Sequence, residues 1–467
     1  MNVETTVAPI SVGHVIKGNY VEGGAKLRGP AGARFATPEL DLDQLVWSRA
    51  EPGPAFETPI AEVIDVLAET GDWLAKDPDG LVARALAQAA QTSPLPYAVL
   101  QRSFALLPTQ FDRAELEYQI ERELGGPDIL DGWRDIPTPP SGRRHRVRAY
   151  PPRIVHIIAG NAPLAAALTI AWSALSKGVH LLKLPSNDLF TATMLLRAIS
   201  AVAPGHPTAR SFSAAYWPGG DAQVEGMLFR PQYFDKLAAW GGDTTLRSAK
   251  NYIGPGFELI AFDPKTSISM IGREAFESDE TLQRVAERAA TDATLIEQQA
   301  CASSRFQFVE GNAEQVDRYC AALHQNMGVE RTFCTAEGRP LPSDLRVEIE
   351  GLRGMDEYYR IWGDYRGAGV VIRSGEPVDF HPDGRVVNVV GVSDLAEAIQ
   401  HVNLATQTVG VYPPARKTAL RDALACAGVQ RVVDIGNAGA VERGLPHDGF
   451  YPLHRFMRWV NDEGGQW

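Results

Sequence analysis

The feature that most constrains the fold is a set of apolar strands that alternate with helices in the middle of the chain. Residues 153–159 (RIVHIIA) form a continuous apolar run, which is typical of a strand buried on both faces of a parallel sheet. A turn at 160–163 leads into an apolar helix, predicted over 164–175, and the next strand is predicted over 180–184. Because parallel strands need such a crossover helix, this βαβ unit predicts a doubly wound α/β sheet.

The same alternation continues on both sides of Pro264 and predicts a second α/β segment beyond it. Residues 1–55, rich in Gly and Pro, are interpreted as strands and loops, and residues 455–460 as an amphipathic end segment. The other predicted elements are helices at 59–76, 81–90, 114–124, 189–203 and 221–229, strands at 213–217 and 236–240, and, beyond Pro264, strands at 267–271, 305–310, 370–372, 386–392 and 409–412 with a helix at 394–404.

Length and composition exclude several classes of protein. The 467 residues exceed one ordinary core, so two or three domains are expected. A net charge of −12 argues against a nucleic-acid partner, and the basic run 143–148 is interpreted as a solvated strand, with contact to an anionic cofactor or partner subunit as the alternative. No apolar run approaches the ~20 residues of a membrane span, and no signal peptide is visible. Four cysteines without a CxxC pair indicate a reducing compartment and no metal site, so the expected location is cytoplasmic.

One cysteine, Cys301, lies where a predicted helix gives way to a predicted strand. Apolar residues before it recur at helical spacing, and residues 305–310 alternate as in a strand. The connection is short and polar, so its backbone N–H groups can point at whatever the thiol attacks, and this position suits a thiolate nucleophile. The alternative that the pattern leaves open is a small buried hydrophobic residue. The remaining cysteines, Cys320, Cys334 and Cys426, show no paired spacing.

Polar or glycine-rich turns follow three of the predicted strands. Asn161 follows the first, Lys183 and Ser186 lie at the end of the second, and residues 241–244 (GGDT) come after a later one. Ligands of doubly wound sheets bind at the carboxyl ends of strands, where glycines let the backbone approach a phosphate. These turns therefore predict nucleotide binding, although no G-x-G-x-x-G follows the first strand. A tight turn at Gly241-Gly242 and a surface charge at Lys183 are the alternatives.

Four motifs, in order along the chain, resemble those of aldehyde dehydrogenases. They are Asn161 on the turn after a buried strand, Lys183-Leu184-Pro185-Ser186, Trp240-Gly241-Gly242-Asp243-Thr244, and Gln299-Ala300-Cys301 with Arg305. The resemblance runs from about residue 153 to residue 412. It implies a catalytic Cys301, an oxyanion-hole amide at Asn161, and cofactor binding by Lys183, Ser186, Gly241, Gly242 and Thr244.

The resemblance also implies an architecture. We expect an aldehyde dehydrogenase-like α/β fold of two doubly wound domains, one Rossmann-like and nucleotide-binding and the other catalytic. The first, with the N-terminal helical region, is expected at 1–265, and the catalytic domain that carries Cys301 at 266–434. A C-terminal segment at 435–467 is expected to return to the body or to a subunit interface.

Within this superfamily the chain is most similar to the LuxC-type acyl-CoA reductases, the fatty-acid reductase component of bacterial bioluminescence systems. The residues that carry this likeness are 156–163 (HIIAGNAP), 298–303 (QQACAS) and 446–453 (PHDGFYPL). The likeness implies NADPH-dependent reduction of a fatty acyl thioester, bound to coenzyme A or to a carrier, through an acyl-Cys301 intermediate. It further implies acyl-transferase or synthetase partner subunits, and we expect a homo-oligomer. His447 and His156 are candidate proton carriers, with structural histidines as the alternative.

Departures from the superfamily pattern refine this expectation. Ala261 stands where hydrolytic members carry a general-base glutamate, which favours transfer from a thioester over release of an acid. Ser186 stands where NAD-selective members often carry a carboxylate, which favours NADPH and leaves NADH open. No glutamate stands near His381, where the superfamily binds the nicotinamide ribose, and Arg305 is interpreted as a structural partner of the cysteine loop. Two alternatives remain: an NAD(P)-dependent dehydrogenase that oxidises free aldehydes, and an acyl-carrying subunit of a multi-enzyme reductase complex.

Overall fold

The computed structural model of the chain describes residues 9–24, 26–28, 35–137, 140 and 142–464. These residues divide into two compact units. The first unit falls within Met1–Pro94, Ser103–Asp263 and Arg443–Trp467, and the second comprises Leu95–Arg102 and Pro264–Glu442. Both are built from α/β elements, as the alternating sequence pattern predicts.

Strands and helices alternate through most of both units. The strands are β1 (Ile10–Ser11), β2 (His14–Ile16), β3 (Asn19–Val21), β4 (Lys26–Arg28), β5 (Phe35–Thr37), β6 (Arg134–Asp135), β7 (His145–Tyr150), β8 (Arg153–Ile157), β9 (Val179–Lys183), β10 (Phe212–Ala215), β11 (Lys236–Trp240), β12 (Glu258–Phe262), β13 (Thr266–Ile271), β14 (Ser304–Glu310), β15 (Arg360–Trp362), β16 (Val370–Ser374), β17 (Val386–Val392), β18 (Thr406–Tyr412), β19 (Arg431–Asp434) and β20 (Arg458–Glu463). The α-helices are α1 (Leu42–Leu45), α2 (Ile60–Lys76), α3 (Leu81–Ala89), α4 (Tyr97–Ala105), α5 (Arg113–Leu124), α6 (Asp128–Asp131), α7 (Pro163–Leu175), α8 (Thr191–Val202), α9 (Pro207–Arg210), α10 (Ala222–Leu228), α11 (Asp243–Lys250), α12 (Asp279–Ala293), α13 (Ala313–Met327), α14 (Ser343–Arg353), α15 (Pro414–Ala427) and α16 (Pro452–Phe456).

The main sheet of the first unit has the strand order β12-β11-β8-β9-β10-β2-β3. Strands β8 to β12 are parallel, and β2 pairs antiparallel with β10. The chain moves outward from β8 through β9 to β10, and then returns to place β11 on the other side of β8. Open α/β sheets bind ligands at the carboxyl ends of the strands where the direction of winding reverses, and here that point lies between β8 and β11.

The sheet of the second unit has the order β15-β16-β17-β14-β13-β18-β19, parallel except for the edge strand β15. One face packs against α12 and α13 through apolar residues such as Val285, Ala289 and Leu323. The other face packs against α15 and a 3-10 helix through Leu395 and Leu424. Both faces are covered, so the predicted doubly wound arrangement is confirmed for this sheet.

One prediction of local structure was wrong. The helix predicted over 394–404 is a 3-10 helix, Leu395–His401, capped by the carboxylate of Asp394. The segment interpreted as an amphipathic end, residues 455–460, spans the end of α16 at Phe456 and the start of β20 at Arg458. Strand β20 pairs with β7, which contains most of the basic run.

The C-terminal helix α16 is held inside the first unit by a buried carboxylate. Glu123 on α5 accepts hydrogen bonds from the backbone N–H groups of Leu453 (2.7 Å) and His454 (3.2 Å), at the start of α16. Gln119 donates to the other carboxylate oxygen. Burial raises the pKa of Glu123, which these hydrogen bonds oppose. The remote carboxylate therefore caps a helix that has no side-chain cap of its own.

Within the described residues, none of the helices combines the length and the apolar composition that crossing a membrane requires. The same part of the chain brings together no group of three or more His, Cys, Asp or Glu side chains that could hold a metal ion.

Candidate active site

Cys301 lies in the second unit, in the connection between α12 and β14, and is half-buried. The sequence places it there because α12 begins at the capping hydroxyl of Ser278 and carries the predicted apolar stripe only as far as Ala293. Strand β14 then starts at Ser304, so Cys301 lies at the amino-terminal edge of the parallel sheet.

The backbone before Cys301 adopts a rare conformation. Ile296, Glu297 and Gln298 all have positive φ, of 49°, 55° and 65°. We call these three residues the left-handed arc. Non-glycine residues visit this region singly, at a cost of about 1–2 kcal/mol each, and a β-branched residue such as Ile296 is an outlier there. Backbone strain of this kind persists where surrounding contacts enforce it, and it clusters at functional sites.

The side chains of Gln298 and Arg305 hold the arc against residues 382–386, at the start of β17 and just before it. The Gln298 amide donates to the carbonyl of Val386 (2.9 Å) and accepts from the backbone N–H of Arg385 (2.8 Å). Arg305 donates to the carbonyls of Gln298 and Pro382. Its guanidinium is nearly fully buried among these partners. The interpretation of Arg305 as a structural partner of the loop fits this geometry.

A pair of β-bulges on either side of β13 contacts the cysteine loop. The register of β13 shifts after Ser267 against β14 and again between residues 266 and 268 against β18. The buried Ser267 hydroxyl donates to the carbonyl of Cys301 (2.8 Å) and accepts from the backbone N–H of Thr408 (3.1 Å). Bulges re-aim side chains and are frequent beside active sites. Here the bulged residue on β14 is Arg305, and its side chain turns to the arc.

Arg305 and Arg431 both interact electrostatically with Cys301. Burial lowers the pKa of Arg305, whereas the negative charges of Asp383 and Cys301 oppose that change. Burial also lowers the pKa of Arg431, and Asp292 and Cys301 again oppose it. Arginine stays protonated in proteins, and the interaction acts equally on both groups. Two guanidinium charges therefore stabilise a thiolate at Cys301.

Asn161 lies in the first unit, on the half-buried turn between β8 and α7. This is the carboxyl end of β8, beside the switch point of the sheet. The turn is packed closely, because a Cβ on Gly160 would lie 1.8 Å from Oδ1 of Asn187. A side chain at residue 160 would therefore require the Asn187 side chain to move out of its contact with the turn that leads into Asn161.

The predicted cofactor-binding residues lie along the same edge of the first sheet. Lys183 is the last residue of β9 and is buried, with its ammonium over the Trp217 ring (5.7 Å), so it is not a surface charge. Burial lowers the pKa of Lys183, and the nearby Glu225 opposes this. Ser186 is exposed on the turn that follows.

The glycine turn belongs to this edge as well. Gly242 stands at the N-cap of α11, and a Cβ there would meet nothing within 4 Å. Gly241 precedes it, and Thr244 is exposed in the first turn of the helix. A sheltered ammonium, an exposed hydroxyl and an open helix N-terminus form a donor set that suits ribose hydroxyls and phosphate. These residues fit a dinucleotide cofactor.

The two candidate histidines differ in their surroundings. His156 is fully buried on β8, where its Nε2 lies 3.0 Å from Nδ1 of His180 and 3.2 Å from Oγ of Ser173. Burial lowers the pKa of His156 to about 3. A ring that stays neutral and is shielded from solvent is poorly placed to exchange protons, so the geometry favours the structural alternative.

His447 lies in an aromatic setting within the first unit. Its ring is 5.4 Å from that of Trp240, 5.8 Å from Phe262 and 6.0 Å from Trp172. Trp240 and Phe262 stack in parallel at 3.8 Å. Ala261, next to Phe262 on β12, offers only a methyl group where a general base would stand.

Sequence reasoning missed the supports of the cysteine loop. Glu297 and Arg385 form a buried ion pair across 88 positions of sequence. Ser267 and Gln298 bond to backbone groups that no sequence pattern identifies. A polar residue inside a run otherwise typical of a buried strand, such as Ser267, is the only signal that the sequence offered.

The fold matches solved structures over nearly all of its length. An NADP-dependent glyceraldehyde-3-phosphate dehydrogenase from Bacillus halodurans C-125 superposes with a TM-score of 0.69 at 14% identity, covering 98% of this chain and 99% of the other. An NAD-dependent benzaldehyde dehydrogenase from Corynebacterium glutamicum gives 0.70 at 15% identity, with the same coverage. The chain thus has the aldehyde dehydrogenase fold, and the predicted fold class is confirmed.

The family follows from the sequence comparisons. A family model described as Acyl-CoA reductase (LuxC) matches residues 55–459, so the chain belongs to the LuxC family. A long-chain acyl-protein thioester reductase of Aliivibrio fischeri is 30% identical over 358 residues, covering 74% of this chain and 70% of that protein. A protein of the same name from Photorhabdus laumondii is 28% identical over 348 residues, covering 74% and 69%. The predicted family resemblance is confirmed.

Proposed function

We propose that the protein reduces a fatty acyl thioester to the aldehyde, with NADPH as reductant and an acyl-Cys301 intermediate. Family membership and the names of the relatives support the reaction class. The observation that carries the assignment of the nucleophile is the Cys301 loop, which is strained, is anchored by polar groups and interacts electrostatically with Arg305 and Arg431. A structural cysteine needs none of these features.

The proposed chemistry begins at the thiol. The Cys301 thiolate attacks the thioester carbonyl, and the carrier thiolate leaves as the carbonyl reforms on Cys301. The backbone N–H of Cys301 stabilises the oxyanion, and the Asn161 amide is assigned as the second donor by its motif position. Loss of one such donor typically costs about 100- to 1000-fold in rate. The acyl-enzyme is then reduced to a hemithioacetal, which collapses to aldehyde and regenerates the Cys301 thiolate.

The cofactor assignment rests on the first unit. Lys183 and Ser186 would bind the adenosine ribose, and Gly241, Gly242 and Thr244 the pyrophosphate. When bound, the nicotinamide supplies the hydride. Ser186 offers a hydroxyl rather than a repelling carboxylate, which supports NADPH over NADH.

Ala261 supports reduction over hydrolysis. A side chain without a titratable group cannot activate water from this position, which favours reduction of the acyl-Cys301 thioester over its hydrolysis. The acyl donor is proposed to be a carrier-bound or coenzyme A thioester, since the relatives are named for acyl-protein thioesters. A synthetase or transferase partner would then supply the acyl group.

The test uses acyl-CoAs of increasing chain length and acyl-carrier protein, with Cys426→Ser as the matched control for Cys301→Ser. Without NADPH, mass spectrometry should find the acyl group on the peptide that contains Cys301. With NADPH, wild type and Cys426→Ser should form aldehyde, and Cys301→Ser should form none. Aldehyde formation by Cys301→Ser would overturn the assignment of the nucleophile. Oxidation of free aldehydes without thioester turnover would point to the dehydrogenase alternative.

A further inference from the structure

The strained left-handed arc must be held by contacts from the surrounding structure. A buried ion pair between Glu297 and Arg385 provides such contacts. One carboxylate oxygen of Glu297 accepts from Nε of Arg385 (2.7 Å). The other accepts from the backbone N–H (2.8 Å) and the hydroxyl (3.0 Å) of Thr335. The backbone N–H of Glu297 donates to the carbonyl of Phe333. Glu297 thus uses both its side chain and its backbone to hold the middle residue of the arc.

Arg385 completes the arrangement from the opposite side. Its Nη2 donates to the carbonyl of Thr335 (2.7 Å), and its backbone N–H donates to Gln298. The guanidinium is 1% exposed and the Glu297 carboxylate 8% exposed, so water barely screens the pair. Gly338 packs so closely on Arg385 that a Cβ would lie 3.0 Å from Cδ. The guanidinium is therefore fixed in one position by its contacts.

Burying such a pair is a weak way to gain stability, because desolvating both ions offsets their attraction. A well-packed apolar pair would fill the same space without the desolvation free energy that two buried ions cost. What an apolar pair cannot do is enforce one orientation of the Glu297 backbone, because it makes no directional bonds. The location of the pair, four residues before Cys301, suggests what that orientation serves.

We propose that Glu297 and Arg385 are positioning residues, which hold the left-handed arc and through it the backbone that leads into Cys301. The inference deepens the proposed function and rests on the role of Cys301 as nucleophile. Gln298 links the two, since its carbonyl accepts from Arg305 and its amide bonds to both Arg385 and Val386. Relaxation of the arc would release the backbone that leads into Cys301 and displace it relative to Arg305, which the Gln298 carbonyl holds.

The experiment measures the rate at which iodoacetamide alkylates Cys301 as a function of pH, alongside urea unfolding. All variants are made in a Cys426→Ser background, because Cys426 is an exposed cysteine. The test variant is Glu297→Gln, and the matched control is Glu310→Gln. Glu310 is also buried and paired, with Arg273 and Arg416, but it lies at the opposite end of β14.

The two variants should separate positioning from stability. Both should unfold at lower urea concentration. Glu297→Gln leaves the buried Arg385 guanidinium unpaired, whereas Glu310→Gln weakens the ion pairs of a buried carboxylate with the more exposed Arg273 and Arg416. Only Glu297→Gln should shift the alkylation profile to higher pH, by about one unit, because the displaced thiol is attracted less strongly by the Arg305 charge. Its kcat should fall on the order of 100-fold with little change in KM, as expected for a misplaced nucleophile. An unchanged alkylation profile in a folded Glu297→Gln protein would overturn the proposal.

An apolar double variant tests whether a changed alkylation profile results from loss of folding or from release of the arc. The double variant Glu297→Leu with Arg385→Met removes both charges and should regain stability relative to Glu297→Gln. It should keep the shifted alkylation profile, because no directional bond holds the arc. Wild-type alkylation in the double variant would refute the inference. Alkylation requires neither acyl donor nor cofactor, so this outcome is distinct from failure of the reductase assay.

Discussion

Replacing Ser267 with alanine should separate the anchoring of the cysteine loop from the stability of the sheet. The Ser267 hydroxyl is buried in the double bulge, where it donates to the carbonyl of Cys301 and accepts from the N–H of Thr408. Alanine removes the hydrogen bond to the Cys301 carbonyl, at about 1 kcal/mol. It also removes the acceptor of the buried Thr408 N–H, and leaving that group unpaired costs about 1–3 kcal/mol. We expect the free energy of unfolding to fall by about 2–4 kcal/mol.

The matched control for this change is Ser269→Ala. Ser269 lies two residues further along β13, on the same face of the strand, and is also fully buried. Its hydroxyl bonds to the hydroxyl of Ser304 (2.7 Å) and not to the Cys301 backbone. We therefore expect a loss of about 1 kcal/mol and an unchanged rate of Cys301 alkylation.

Urea unfolding and the rate of iodoacetamide labelling at Cys301, both in the Cys426→Ser background, test the pair. Ser267→Ala should slow labelling, because the Cys301 carbonyl is no longer held and the thiol loses its fixed position. Labelling of Ser267→Ala at the wild-type rate would show that this hydrogen bond does not position Cys301. An unchanged urea midpoint would refute the assignment of the bulge as a site of buried hydrogen bonding.

Three further predictions concern the water-activating position, the cofactor and the buried histidine. Ala261→Glu should divert acyl-Cys301 to fatty acid, seen as a raised ratio of acid to aldehyde in the products; unchanged products would contradict the role of Ala261. Lys183→Met should raise KM for NADPH and leave Cys301 alkylation unchanged, and Ser186→Asp should shift the cofactor preference to NADH. KM values for NADPH and NADH that equal those of the wild type would refute the assigned ribose contacts. The depressed pKa of His156 means stability present above pH 6.5 is lost as pH falls towards about 3. At pH 5 the loss is about 2 kcal/mol, and His156→Gln should flatten this slope in thermal unfolding.

The order of strands and helices could be predicted from the spacing of apolar residues in the sequence. The apolar run at β8, the crossover helix α7 and the next strand β9 lie within two residues of their predicted bounds. Their sequence signal is strong because both faces of these strands are buried. The 394–404 segment failed for the opposite reason. Its helical spacing was real, but Asp394 caps a 3-10 turn that ends at His401.

The sequence predicted the position of the reactive loop but not the contacts that hold it. The position of Cys301 between a helix and a strand follows from periodicity, and the structure has it there. Its supports do not follow, because Glu297 and Arg385 are far apart in sequence and meet only when β14 and β17 pair. Nor does any pattern mark Ile296 as left-handed, since its side chain continues the apolar stripe of α12. Local preference there points to a helix, and tertiary hydrogen bonds decide otherwise.

The capping of α16 by Glu123 affects how deletion experiments should be interpreted. A chain shortened before Pro452 would strand a buried carboxylate without two of its donors. It would also strip the Lys236 ammonium of its acceptors, the carbonyls of Arg455 and Met457. Loss of activity in such a chain would therefore report loss of structure around α5 and β11 of the first unit. Tail residues are better assigned roles by point substitution than by truncation.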